Sequence, residues 1–147
     1  MAASSDARRY SPGMSTGSFD LTTIPVHLGL GAVAIPQEPM TGGAEWYERY
    51  AQRVAGDGVE GRLVTIYSFS EPWSMWEVHP LGHELVVCLS GRIVVHQELA
   101  GLMMSLTLEP YQAVINPPGV WHTADADAPA TVLFVTAGTG TDHRPRR

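Results

Sequence analysis

The run Trp76-Glu77-Val78-His79-Pro80-Leu81-Gly82-His83-Glu84-Leu85-Val86-Val87-Cys88-Leu89-Ser90-Gly91 decides how the rest of the sequence is read. Side chains two apart on a strand share a face, so Glu77 and His79 point the same way. Pro80 and Gly82 then form a tight connection. The chain returns as an apolar strand that His83 and Glu84 open and Gly91 ends. A carboxylate that opens such a strand stands at a rim or is held by a partner. A second stretch, Gln112-Ala-Val-Ile-Asn116-Pro117-Pro118-Gly119-Val120-Trp121-His122, carries a rigid Pro-Pro-Gly turn, and His122 opens the strand after it.

Around these stretches the chain reads as short β-like runs over 62–69, 73–79, 84–89, 92–98, 103–108, 113–116 and 131–136, separated by Gly and Pro turns. Many short strands at such spacing indicate a sandwich or closed barrel. Upstream, 24–33 is extended but broken by Pro25, Gly29 and Gly31, which predicts an edge strand with a bulge. One helix is expected over 44–55, packed outside the barrel. Trp46, Tyr47, Tyr50 and Val54 recur at helical spacing, Glu45 and Arg49 form an i,i+4 pair, and Gly56 and Gly58 offer a stop. Residues 1–20 are small and polar and predict a flexible N-terminal arm before a single domain over 21–147. Met75, Met103 and Met104 read as core fillers.

The 147 residues suffice for one domain with a sizeable core. A formal net charge of −6 argues against non-specific nucleic-acid binding. The basic cluster His143-Arg144-Pro145-Arg146-Arg147 reads as a solvated tail. No apolar run approaches a membrane span of ~20 residues, and the N-terminus lacks a signal-peptide pattern. The single cysteine, Cys88, reads as a small core residue and fits a cytoplasmic location. Two motif matches fail on context. Gly13-Met-Ser15-Thr-Gly17 lies in the polar arm rather than between a strand and a helix. Gly29-Leu-Gly31-Ala-Val-Ala34 is followed by Ile35-Pro36-Gln37-Glu38-Pro39, which cannot continue a helix.

The two stretches together resemble the motifs of the cupin superfamily, over about 60–145. His79 stands at the second His of the first motif, Glu84 at its Glu and Gly91 at its Gly. Pro117, Gly119 and His122 match the second motif, Pro-x-Gly-x-x-His. The departures are Glu77 where the first His is usual, Tyr111 where the second motif starts with Gly, and Ala126 where it ends with Asn. The resemblance implies an all-β double-stranded β-helix, a jelly-roll barrel with one short peripheral helix. It also implies a divalent transition metal (Zn, Mn, Fe or Ni) in the mouth, with Glu77, His79, Glu84 and His122 as ligands. Imidazole and carboxylate donors suit such ions. Without a cation, two carboxylates in one pocket are expected to repel and one to rise in pKa. His83 is a candidate for orienting a carboxylate from behind the ligands; His27, His96 and His143 read as incidental. Taken singly, Glu77 and His79 also fit an exposed strand face, and His122 a core histidine bonded to backbone.

The resemblance implies an enzyme that acts on a small organic molecule, with the metal as Lewis acid or oxygen-activating centre, of isomerase, cyclase or dioxygenase type. The alternative is a non-catalytic small-molecule binding or sensor module, which a closed coordination shell would favour. A homodimer is expected, since the edge over 24–33 invites pairing.

Overall fold

A computed structural model describes residues 17–147. The first sixteen residues of the expected arm, with most of the Gly13–Gly17 motif, lie outside the described residues. The strands are β1 (Val26–Gly29), β2 (Val33–Pro36), β3 (Arg62–Phe69), β4 (Met75–Val78), β5 (Glu84–Ser90), β6 (Ile93–Leu99), β7 (Leu102–Leu108), β8 (Ala113–Asn116), β9 (His122–Asp125), β10 (Ala130–Thr136) and β11 (Asp142–Pro145). One α-helix, α1 (Ala44–Val54), precedes β3.

The strands form two antiparallel sheets, ordered β2-β1-β3-β10-β5-β8 and β11-β4-β9-β6-β7. Within β3 to β10 the orders 3-10-5-8 and 4-9-6-7 are those of a jelly roll, two Greek keys folded into facing sheets. The fold is therefore the double-stranded β-helix that the motifs imply. Alternation fills its interior: Val86 and Cys88 of β5, Ile93 and Val95 of β6, and Val132 and Phe134 of β10 meet in one buried cluster. Each fully buried aliphatic or Phe side chain contributes roughly 1.5–3 kcal/mol relative to exposure. Cys88 is wholly buried there, as its apolar neighbours predict.

Several expectations need correction. The 24–33 segment is part of a hairpin rather than one bulged strand. Gly31 (φ 77°) and Ala32 (φ 58°) turn the chain, and β1 pairs with both β2 and β3. The edge is therefore β2. The helix ends at Val54, close to the expected stop, but a 3-10 segment over Ala55–Glu60 follows it. The cause is Asp57, drawn into the interior by His27, whose Nε2 lies 2.6 Å from Asp57 Oδ2 and whose Nδ1 lies 2.7 Å from the Tyr50 hydroxyl. His27 thus pins the hairpin to the helix. Met103 and Met104 are exposed on β7, and Met75 lines the barrel mouth; none of the three fills the core.

His143 to Pro145 of the basic cluster belong to strand β11, paired with β4, and are not a solvated tail. The Arg144 guanidinium lies 4.5 Å from the Trp121 ring centroid and 5.3 Å from that of Trp76, and it pairs with Glu98. Both tryptophans consequently face away from the site. No helix among the described residues is long and apolar enough to cross a membrane.

Candidate metal centre

Glu77 and His122 stand directly opposite each other on β4 and β9 and both face inward. His79 follows the end of β4, and Glu84 opens β5 in the other sheet. One ligand atom from each of the four lies within 4.8 Å of the others. Glu84 sits between the imidazoles, with Oε2 3.0 Å from His79 Nε2 and Oε1 3.2 Å from His122 Nε2. Glu77 Oε2 is 3.8 Å from each of the same nitrogens. Donors about 2.1 Å from a shared ion are about 3.0–3.4 Å apart along the edges of an octahedron or tetrahedron. The four side chains therefore need only small movements to enclose one.

The surroundings fix which nitrogen of each ring faces inward. The Thr141 hydroxyl donates to the Gly138 carbonyl (2.8 Å), so its oxygen accepts from His79 Nδ1–H (2.7 Å). His122 Nδ1–H donates to the Val120 carbonyl (3.1 Å). With each Nδ1–H so engaged, a neutral ring would aim its Nε2 lone pair at a carboxylate, which is favourable only with a cation between them, a proton or a metal. His122 Nε2 is not aligned for a hydrogen bond with Glu84; among the described residues it is the one buried side-chain nitrogen or oxygen without a hydrogen-bond partner. Glu84 is held from behind by the Asn116 amide (3.0 Å) and the Thr136 hydroxyl (2.7 Å).

These contacts reverse the expected electrostatics: Glu84 does not rise. Burial pushes its carboxyl up, but His122 and His79 outweigh that and hold it well below the usual range. Burial pushes His122 down, and the carboxylates of Glu77 and Glu84 push it up further, to about 9. Two imidazoles interleaved with two carboxylates replace the like-charge repulsion that the sequence suggested.

Three of the four side chains are almost fully buried, whereas Glu77 is 24% exposed. It borders an open surface depression lined by Trp73, Ser74, Met75, Glu77 and His143. Two phenols feel the charge of Glu77. Tyr47 of α1 is hydrogen-bonded to Tyr67 of β3, whose hydroxyl also donates to Met40 Sδ (3.7 Å). Burial, that bond and the charges of Tyr67, Glu77 and Glu84 push the Tyr47 phenol above its ordinary pKa. The structure thus brings Glu77, His79, Glu84 and His122 together. It turns His83 out to solvent, as alternation beside inward Glu84 requires. The supporting residues that sequence reasoning missed are Asn116, Thr136, Thr141 and His143. Asn116 and Thr136 face Glu84 across the ladder, so strand pairing was the missing signal.

No protein-family model matches the sequence, and no curated protein matches it significantly. Solved structures do. A protein with a cupin-2 domain from Shewanella frigidimarina is 15% identical, with 58% of this chain and 71% of that one covered (TM-score 0.45). A double-stranded β-helix protein from Klebsiella pneumoniae is 23% identical over 58% of this chain and 76% of that one (TM-score 0.46). A structure of DMSP lyases is 28% identical over 58% of this chain and 44% of that one (TM-score 0.46).

Proposed function

We propose that this chain, a protein of the cupin fold, is a metal-dependent enzyme for a small organic molecule, with residues 21–147 as its single domain. The observation that carries the reading is the buried, unpartnered Nε2 of His122, aimed with His79 Nε2 at two carboxylates. Two imidazoles and two carboxylates suit Zn, Mn, Fe or Ni, and their net charge of about −2 balances a divalent ion. An ion held there supplies Lewis acidity or an oxygen-activating centre.

The chain's own residues divide the remaining work. His79, Glu84 and His122 would hold the ion, with Thr141, Asn116, Thr136 and the Val120 carbonyl fixing their orientation. Glu77 borders an open surface depression, from which a small molecule can approach it. That opening favours catalysis over a closed binding shell.

Elemental analysis of protein purified without chelator should give near-stoichiometric transition metal, lost in His79→Ala and in His122→Ala. No metal in the wild type, even after reconstitution, removes the reading. A homodimer and a cytoplasmic location belong to the same proposal. The dimer is supported by the exposed Leu102, Met103 and Met104 on edge strand β7; a monomer mass by light scattering at micromolar concentration counts against it.

A further inference from the structure

We propose that His143 is a positioning residue that holds one oxygen of Glu77 and leaves the other as that residue's single donor atom toward the metal. The inference rests on the metal reading above and concerns a histidine that the sequence left as incidental. Glu77 is the one candidate ligand with substantial exposure, so its carboxylate has the most freedom to rotate. Its oxygens are divided. Oε2 faces both imidazole Nε2 atoms at 3.8 Å, while Oε1 lies 3.2 Å from His143 Nε2.

The backbone delivers this pairing. His143 is directly opposite Glu77 in the β11–β4 register, on the same face. Strand β11 is anchored just beyond it. Arg144 stacks over Trp121 and Trp76, the Arg146 guanidinium reaches Asp125 and the Trp73 carbonyl, and the Arg146 amide donates to the Ser74 carbonyl (3.1 Å). The imidazole therefore comes from a fixed strand rather than a loose terminus. Its Nε2–H donates to Oε1, which keeps that oxygen from chelating the ion or swinging into the depression. Among the described residues, the one candidate ligand to which His143 is hydrogen-bonded is Glu77, so it acts through that residue. The same strand region supplies Thr141 to His79, so one terminal segment orients two of the four ligands.

The test uses the full chain loaded with Co²⁺, with affinity read by competition against a chelator and coordination read from the visible absorption. His143→Ala should bind Co²⁺ about 10-fold more weakly, the low end of the effect of removing an outer partner because His143 is half exposed. Its visible band should also weaken, since a Glu77 free to chelate raises the coordination number. His143→Gln, whose amide N–H can reach the same oxygen, should restore both. Far-UV dichroism and thermal melting of the metal-free variants should match wild type. Wild-type affinity and spectrum in His143→Ala overturn the inference, and so does a His143→Gln as weak as His143→Ala. Wild-type protein that binds no Co²⁺ overturns the metal reading and this inference together, whereas loss confined to the His143 variants leaves the metal reading standing.

Discussion

Metal-free protein should lose stability as the pH rises from 7 to 9.5. The responsible group is His122, whose folded pKa of about 9 stands above its ordinary value of 6.5. A raised folded value means the contribution is fully present below about 6.5 and is lost as the pH rises through about 9. The difference, at about 1.4 kcal/mol per pH unit, is worth about 3 kcal/mol. His122 is 2% exposed, so solvent screens little of this. Glu84 feels the same contacts from the other side and adds no second contribution in this window. Its share is present above the ordinary carboxylate value and is lost only as acid protonates it. For a chain of this length about 1 kcal/mol moves Tm by about 2–4 °C, so most of the effect amounts to roughly 5–10 °C. Thermal and urea unfolding of chelator-treated protein at pH 7 and 9.5 would measure it. His122→Gln should remove the dependence, and metal-loaded protein should not show it, because the ion replaces the proton. Equal stability of the metal-free wild type at both pH values, or an equal fall in His122→Gln, would refute the reasoning.

Further outcomes concern Glu77 and the hairpin. Glu77→His should retain the metal at a site of charge about +1 and shift any pH–activity profile to lower pH, because a more positive centre acidifies bound water more; Glu77→Ala should weaken metal binding by more than the 10–100-fold typical of an outer partner. Unchanged metal content in Glu77→Ala together with lost turnover would instead make Glu77 a general base. In the hairpin, Gly29→Ala should destabilise by about 1–3 kcal/mol in urea unfolding, because its Cβ would stand 2.4 Å from Asp57 Oδ2 and 2.9 Å from His27 Nε2; a wild-type midpoint would show that the buried pair yields easily.

The barrel was legible because its signals are local. The strands over 62–69 and 113–116 are bounded by turn residues and stand where those signals put them. Alternation was enough to place Glu77 and His79 on one face. What escaped depends on contacts between distant residues. Strand β11 reads as a polar basic tail because its outward arginine is satisfied by Trp76, Trp121 and Glu98, all far away in the sequence. His27 looked incidental because Asp57 and Tyr50 lie 30 and 23 residues from it. Met103 and Met104 show that an apolar strand does not reveal whether anything covers it. The charge state of the cluster escaped for the same reason. Counting carboxylates gives repulsion, whereas the order imidazole–carboxylate–imidazole, known only once the strands are assembled, gives attraction.

Strands β4 and β9 meet through only one residue pair, Glu77 and His122. Few backbone bonds therefore close the second sheet at that point. The cluster lies on this seam, and Glu84 reaches it from the opposite sheet. Anything that binds all four side chains is a cross-link, both along the weakest join of one sheet and between the two sheets. Loading the site should accordingly slow local opening there more than elsewhere in the barrel. Amide hydrogen exchange along β4, β9 and the start of β5 would then report occupancy directly, with no knowledge of the substrate.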